Sequence, residues 1–307
     1  MITAKVDKET RRPTEMSARR ARLQDALHPG ERLVLVTESP ALRRFGRLPE
    51  EYRARFVAGW DALAAALESA PPSVTVLADA YLGRTPSQGP SPRLREVMWR
   101  RPSVAMIAAM PLREEWAQHA MAVFEWGVSD VLDLNLETSP GAVWQRLRGT
   151  RARPLKRRLE AVLSGFASAY ARDLVRAACE TVVDGGGAAE LAGIFGVEAR
   201  TVSAWCRREG LPPPRRLLAW TRVMLAATLL EEDGRSVVNV ARGAGYATDH
   251  ALRRAMRELI GGDPATVARA KLFDQAAERF NSELRDHRER VREQRRASRP
   301  APAAAYA

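Results

Sequence analysis

A multidomain chain is what this sequence predicts: an α/β domain on a parallel sheet, then an all-α domain built on a tandem helix-turn-helix. Three observations carry that expectation. Short apolar runs alternate with helical stretches up to about residue 150. Beyond that point the periodicity is helical only. Residues 191–257 hold one pattern twice, at a spacing of about 49–50 residues.

Within the first half, RLVLVT (32–37) reads as a buried strand and WDALAAALESA (60–70) as an amphipathic helix. SVTVLA (73–78) and SVAMIAAM (103–110) read as further strands. EEWAQHAMAVFEWG (114–127) reads as a helix closed by Gly127, and VSDVLDL (128–134) as a short strand. ARFVAGW (54–60) supplies one more strand. Apolar strands alternating with helices argue for a parallel sheet covered on both faces.

The predicted organisation is a polar, disordered segment at 1–30, an α/β domain at 31–150 and a basic linker turning helical at 151–165. A helical domain at 166–270 follows, then a charged helix with a disordered tail at 271–307. Net charge is +12, distributed unevenly. Residues 1–150 carry 21 basic and 18 acidic side chains, residues 151–307 carry 28 and 19. The basic excess therefore sits in the helical half, as expected where that half meets an acidic polymer.

LAGIFGVEARTVSAWCRR (191–208) and VARGAGYATDHALRRAMR (240–257) are the two copies. Ala192 lies over Ala241, Gly196 over Gly245 and Val197 over Tyr246. With one residue inserted in the second turn, Val202 lies over Leu252, Cys206 over Met256 and Arg207 over Arg257. A small residue lets two helices approach, a glycine accommodates the turn, and an apolar plug precedes the second helix, which is the helix-turn-helix plan. A phosphate-cradling glycine loop would need a strand ahead of it; SVVNVAR precedes Gly243 instead. Between the copies, PPPRRLLAWTRVMLAATLLEEDG (212–234) reads as a rigid helix of about 19 residues, roughly 28 Å. Such a helix suits recognition helices placed in successive major grooves about 34 Å apart. Its apolar residues lie nearly all round, so it packs between the copies, with Trp220, Met224 and Leu225 buried.

ELAGIFGV, RTVSAWCRREGLPPPRRLLAWTRVMLAATLLEE and SVVNVARGAGYATDHALRRAMRELIGGDPATV together resemble the DNA-binding domain of the AraC/XylS family of bacterial transcription regulators. The resemblance covers about 100 residues. It implies double-stranded DNA as partner, with RNA polymerase and a second copy of the chain as further partners, and no cofactor; two cysteines without disulfide or zinc spacing point to a reducing, cytoplasmic location. By position it assigns Arg200, Thr201, Ser203, Ala204 and Arg207 of the first recognition helix to DNA, and His250, Arg253, Arg254 and Arg257 of the second. Arg207 and Arg257, a half-turn further on, suit phosphates better than base edges. Ala204 stands where the family usually has arginine, and Glu198 where it usually has serine. The family's short closing helix would open at Asp263-Pro264 here.

The strand-helix order of the first half resembles a response-regulator receiver, a flavodoxin-like sheet. RLVLVTESPALRRF stands for its first strand and helix, and VTVLADAYLG for its third strand. Aspartyl phosphorylation needs acids for Mg²⁺, an acceptor, a hydroxyl and a lysine. Glu38 and Asp79 supply an acid and an acceptor. Ala108, Ala109 and Met110 offer no hydroxyl at the fourth strand's end, and Asp133, Leu134 and Asn135 no lysine after the fifth. The resemblance is thus to a degenerate receiver, with Asp79 as a turn or cap residue. The leading expectation is a sequence-specific transcription regulator with a pseudo-receiver input or dimerisation domain.

Two other readings stand beside it. One is a response regulator phosphorylated on Asp79. The other is a DNA-modifying enzyme, because some AraC-like modules sit beside DNA-repair alkyltransferases that need a reactive cysteine. Cys179 and Cys206 both read as small core residues, without metal spacing. His28, His119, His250 and His287 are scattered, so neither a triad nor a metal site is expected. No apolar run reaches membrane-spanning length, and the first 30 residues lack the apolar core of a secretory signal.

Overall fold

The computed structural model describes residues 32–45, 51–137, 139–163 and 168–297, which form two compact units divided between Pro154 and Leu155. The expectations for 1–30 and for the tail after 297 lie outside the described residues.

The first unit is a five-stranded parallel sheet in the order β2-β1-β3-β4-β5, with β1 Arg32–Thr37, β2 Tyr52–Val57, β3 Thr75–Asp79, β4 Ala105–Met110 and β5 Asp130–Asp133. That order is the flavodoxin-like one. β1 is apolar on both faces because both are covered. Leu33 and Leu35 join a core with Leu63, Leu67, Leu94 and Met106, whereas Val34 and Val36 join Phe45, Ile107, Leu132 and Leu147 on the other side. The helices are α1 Trp60–Ser69, α2 Pro92–Arg100, α3 Ala117–Glu125 and α4 Pro140–Thr150. The first three contribute to the former core and α4 to the latter.

Three details differ from the sequence expectation. Among the described residues between β1 and β2 there is a short 3₁₀ turn, Arg43–Phe45, and no α-helix, where a receiver-like first helix was expected. Pro40 and Gly46 flank that turn, and neither favours a continuing helix. The helix expected over 114–127 begins as a 3₁₀ turn, Glu114–Trp116, and is α-helical only through α3. Helices α2 and α4 were not anticipated. Each opens on a Ser-Pro pair, and the Ser139 hydroxyl accepts the Ala142 amide at 3.2 Å.

The second unit is helical: α5 Arg153–Leu163, α6 Ala169–Val183, α7 Ala188–Ile194, α8 Ala199–Arg208, α9 Pro214–Leu230, α10 Val237–Gly243, α11 Asp249–Leu259 and α12 Leu272–Ala297. Helix α9 is the axle. It packs against α6, α7, α8, α10, α11 and α12, and its Leu217, Trp220, Val223, Met224, Ala227 and Leu230 are buried. Leu225 is only half-buried. It falls on a less covered stripe with Arg216, Ala219 and Arg222, spaced by three residues, so its expected burial is corrected.

The basic stretch near 151–165 is more than a linker. Leu155, Leu159 and Leu163 recur every four residues and are buried, while Lys156 pairs with Glu180 and Glu160 with Arg176 across to α6. The charged terminal helix α12 is likewise part of the packed unit. Leu272, Phe273, Ala276, Phe280 and Leu284 are buried, and Phe280 meets Trp220 of α9 with ring centroids 5.6 Å apart. Glu283 takes two hydrogen bonds from Arg216, at 3.0 and 2.8 Å. Glu231, just past α9, accepts Arg158 of α5 at 2.7 Å and the Phe273 amide at 2.8 Å, joining three helices. Among the described residues no helix is long and apolar enough to cross a membrane.

Candidate nucleic-acid interface

The two copies close their turns with the same hydrogen bonds. In the first, Val197 N donates to Ala192 O at 3.2 Å and Gly196 N to Gly193 O at 3.1 Å. In the second, Tyr246 N donates to Ala241 O at 2.8 Å and Gly245 N to Arg242 O at 3.1 Å. Gly196 and Gly245 have φ of 65° and 78°, a left-handed backbone that a side chain would strain. Ala192 and Ala241 are both buried, which allows the helices to approach. The repeat read from the sequence is therefore a repeat in space, and the glycines close turns.

Each second helix buries one side and exposes the other. Val202 and Cys206 point inward on α8, and Leu252, Met256 and Leu259 on α11. On α8 the exposed side carries Arg200, Ser203, Ala204 and Arg207, with Thr201 half-buried. On α11 it carries His250, Arg254 and Arg257. Among the described residues, the guanidiniums of Arg207, Arg254 and Arg257 have no polar partner in the chain, so their charge faces solvent uncompensated. Arg200 differs, pairing with Glu198 at 2.7 Å, and the Ser203 hydroxyl donates back to Ala199 O at 2.9 Å.

Arg253 stands apart from the other expected contacts. Its Nη1 donates to Asp263 at 2.7 Å and its Nε reaches Asp249 at 3.4 Å, and it is only half exposed. The same Asp263 oxygen accepts the Ala265 amide at 2.9 Å. Asp263 opens a hydrogen-bonded turn, with Thr266 N and Val267 N on its carbonyl at 2.9 Å, where the resemblance implied a helix. The carboxylate thus draws Arg253 back along α11. Sequence reading missed Arg242, at the end of α10, whose exposed side chain also lacks a polar partner among the described residues. Its counterpart in the first copy is Gly193, so the repeat gave no signal there.

In the α/β unit Asp79 ends β3. Its amide donates to Thr37 Oγ1 at 2.9 Å and its carboxylate accepts the Tyr81 amide at 2.9 Å, an aspartate-led turn. The Tyr81 hydroxyl lies 2.9 Å from His119 Nδ1; burial first, and then Asp79, push that phenol up to about 12. Asp133 spends Oδ1 on the amides of Leu112 and Asn135, at 3.1 and 2.9 Å. Glu38 is exposed. Among the described residues no three metal-ligating side chains gather. Cys179 and Cys206 are buried, and that burial pushes both thiols up to about 12, so neither is a reactive thiolate at neutral pH.

Comparison with known proteins bears on one region. Residues 191–270, which run from within α7 through α11, match the family model of a helix-turn-helix domain, of AraC type. No curated protein and no solved structure matches. The paired turns, the shared axle α9, the uncompensated arginines and this match agree: residues 191–270 are an AraC-type helix-turn-helix DNA-binding domain.

Proposed function

We propose that the chain is a sequence-specific, cytoplasmic transcription regulator that reads DNA through α8 and α11, with the α/β unit as a pseudo-receiver that receives an input or joins two copies. One observation carries the reading: two recognition helices fixed on one buried helix, each exposing arginine that has no polar partner among the described residues. Of the residues expected at DNA, His250 and Arg254 suit base edges and Arg207 and Arg257 suit phosphates. Arg200, Thr201, Ser203 and Ala204 line the groove side of the first helix. Arg253 then serves α11 by bracing it to Asp263. RNA polymerase is the partner that such a regulator addresses when bound.

Selection of binding sites from a random duplex pool tests the reading. Enrichment of one motif, bound at least about 10³-fold more tightly than scrambled DNA, is the expected result. Equal affinity for every duplex would sink it. For the α/β unit, a small phosphodonor with Mg²⁺ should leave the intact mass unchanged, because Ala108, Ala109 and Met110 offer no hydroxyl at the end of β4 and Asp133, Leu134 and Asn135 no lysine after β5. A gain of one phosphoryl group, lost in Asp79→Asn, would restore the phospho-regulated reading.

A further inference from the structure

Arg222 lies on the half-covered stripe of α9, midway along the helix that separates the two copies. Its Nη2 donates to the carbonyl of Gly186, in the loop that leads into α7 of the first copy. That loop is itself fixed: Gly186 N donates to Thr181 O at 2.7 Å, and a side chain at Gly186 would meet Thr181 and Glu190 at 3.0 Å. On its other side the same guanidinium lies against the turn of the second copy. A Cβ placed on Gly245 would stand 3.7 Å from Arg222 Nε. One side chain therefore bonds the entry of the first helix-turn-helix and stands beside the turn of the second.

The contact is polar where an apolar one would be more stable. Arg222 Nε and the hydroxyl of Tyr246, the plug after Gly245, are both buried without a hydrogen-bond partner. Buried orphan donors cost stability, and a methionine of similar reach would remove the one at Nε. A planar, forked cation held at one end by a carbonyl offers what an aliphatic chain cannot, namely a direction as well as a volume.

We infer that Arg222 is a positioning residue that sets the angle and separation of α8 and α11, and hence the spacing between the two base-pair blocks the domain accepts. This rests on the reading of residues 191–270 as a two-helix reader of DNA. Each base pair added between the blocks turns the second major-groove site about the helix axis by roughly a tenth of a turn. A rigid pair of helices rejects that change, and a loosened pair tolerates it.

The test has two arms on the full chain. In the first, spin labels on Ala204→Cys and Arg254→Cys report the distance between α8 and α11 without DNA, the native cysteines being buried. A single narrow distribution is expected, widened or shifted by Arg222→Met; superimposable distributions would overturn the inference. Should Arg222→Met fail to fold, Arg222→Lys replaces it. Its ammonium can reach the Gly186 carbonyl but has no fork to lay against Gly245, so a smaller widening is expected, and none would overturn the inference equally. In the second arm, the unlabelled protein meets its selected site with one base pair inserted or removed between the blocks. The unsubstituted chain should lose about tenfold in affinity, and the Arg222 variant under about threefold. Equal losses would sever Arg222 from spacing. If the unsubstituted chain selects no DNA at all, the DNA-reading function fails, and the distance arm alone decides whether Arg222 positions the helices.

Discussion

Between the two helix-turn-helix copies the buried half is conserved in kind and the exposed half is not. Both use an inner alanine, a glycine turn closed by the same pair of hydrogen bonds, and an inward apolar pair, Val202 and Cys206 against Leu252 and Met256. Outside, Ala204 holds the position that Arg254 has in the second copy, and Arg200, tied to Glu198, the position of His250. The copies even begin differently. The Thr248 hydroxyl caps α11 by accepting the Ala251 amide at 3.1 Å, whereas Glu198 at the head of α8 makes no side-chain cap. Packing fixes the shape that both copies must share, and the solvent face is free to divide the labour.

The largest effect should come from what they share. Met224 is fully buried in α9, so Met224→Arg places a charge with no partner in the core of both copies. A loss of more than about 4 kcal/mol is expected, with amide exchange rising in α8 and α11 together. If only one helix lost protection, the copies would not share a core, and the comparison would fail at its base.

Next comes the division of base reading. Arg254→Ala should cost about 1–3 kcal/mol of discrimination at one or two base pairs, because a bidentate arginine–guanine contact is lost. The reciprocal change, Ala204→Arg, should create a preference in the block read by α8. Affinities for the selected site and its single-base variants measure both. Equal weakening of selected and scrambled DNA by Arg254→Ala would remove it from the base readers.

Arg207 and Arg257 sharpen the comparison from the other side, since here the copies match. Each replaced by alanine should lower the slope of log affinity against log salt by about 1, on any sequence. Titrations at several salt concentrations check this. A slope unchanged in one variant would show that only its partner copy meets the backbone.

Much of this was legible in the sequence, for a physical reason in each case. Strands β1, β3 and β4 announce themselves because a sheet covered on both faces needs apolar runs, as in RLVLVT. The tandem turns were legible because a left-handed glycine and a buried alanine are local demands. Illegible features depended on distant partners. Arg253 and Asp263 meet only once the turn after α11 has formed. Helix α12 reads as a solvated charge run until its Leu272, Phe273, Ala276 and Phe280 find α9. Leu225 looked as apolar as its neighbours, and only the arrangement around α9 leaves that stripe half covered.

The smallest expected effect concerns how the two helices begin. Four amide groups at a helix start have no partner within the helix, and a hydroxyl at the cap satisfies one of them. Thr248→Ala removes such a cap from α11 and should cost about 1 kcal/mol. Glu198→Thr places one at the head of α8. The gain there is smaller, a few tenths of a kcal/mol, since the Glu198 carboxylate already lies favourably at the positive end of the helix. The same change frees Arg200 from its 2.7 Å ion pair, so stability and DNA affinity should rise together at low salt. Thermal melts of Thr248→Ala, Glu198→Thr and the double variant measure the stability part. A loss on Glu198→Thr would mean that the Glu198–Arg200 pair contributes more to α8 than an exposed ion pair ordinarily does. In that case Arg200 belongs to the scaffold of the first copy, as Arg253 does to the second, and the base reading of α8 would fall to Thr201 and Ser203.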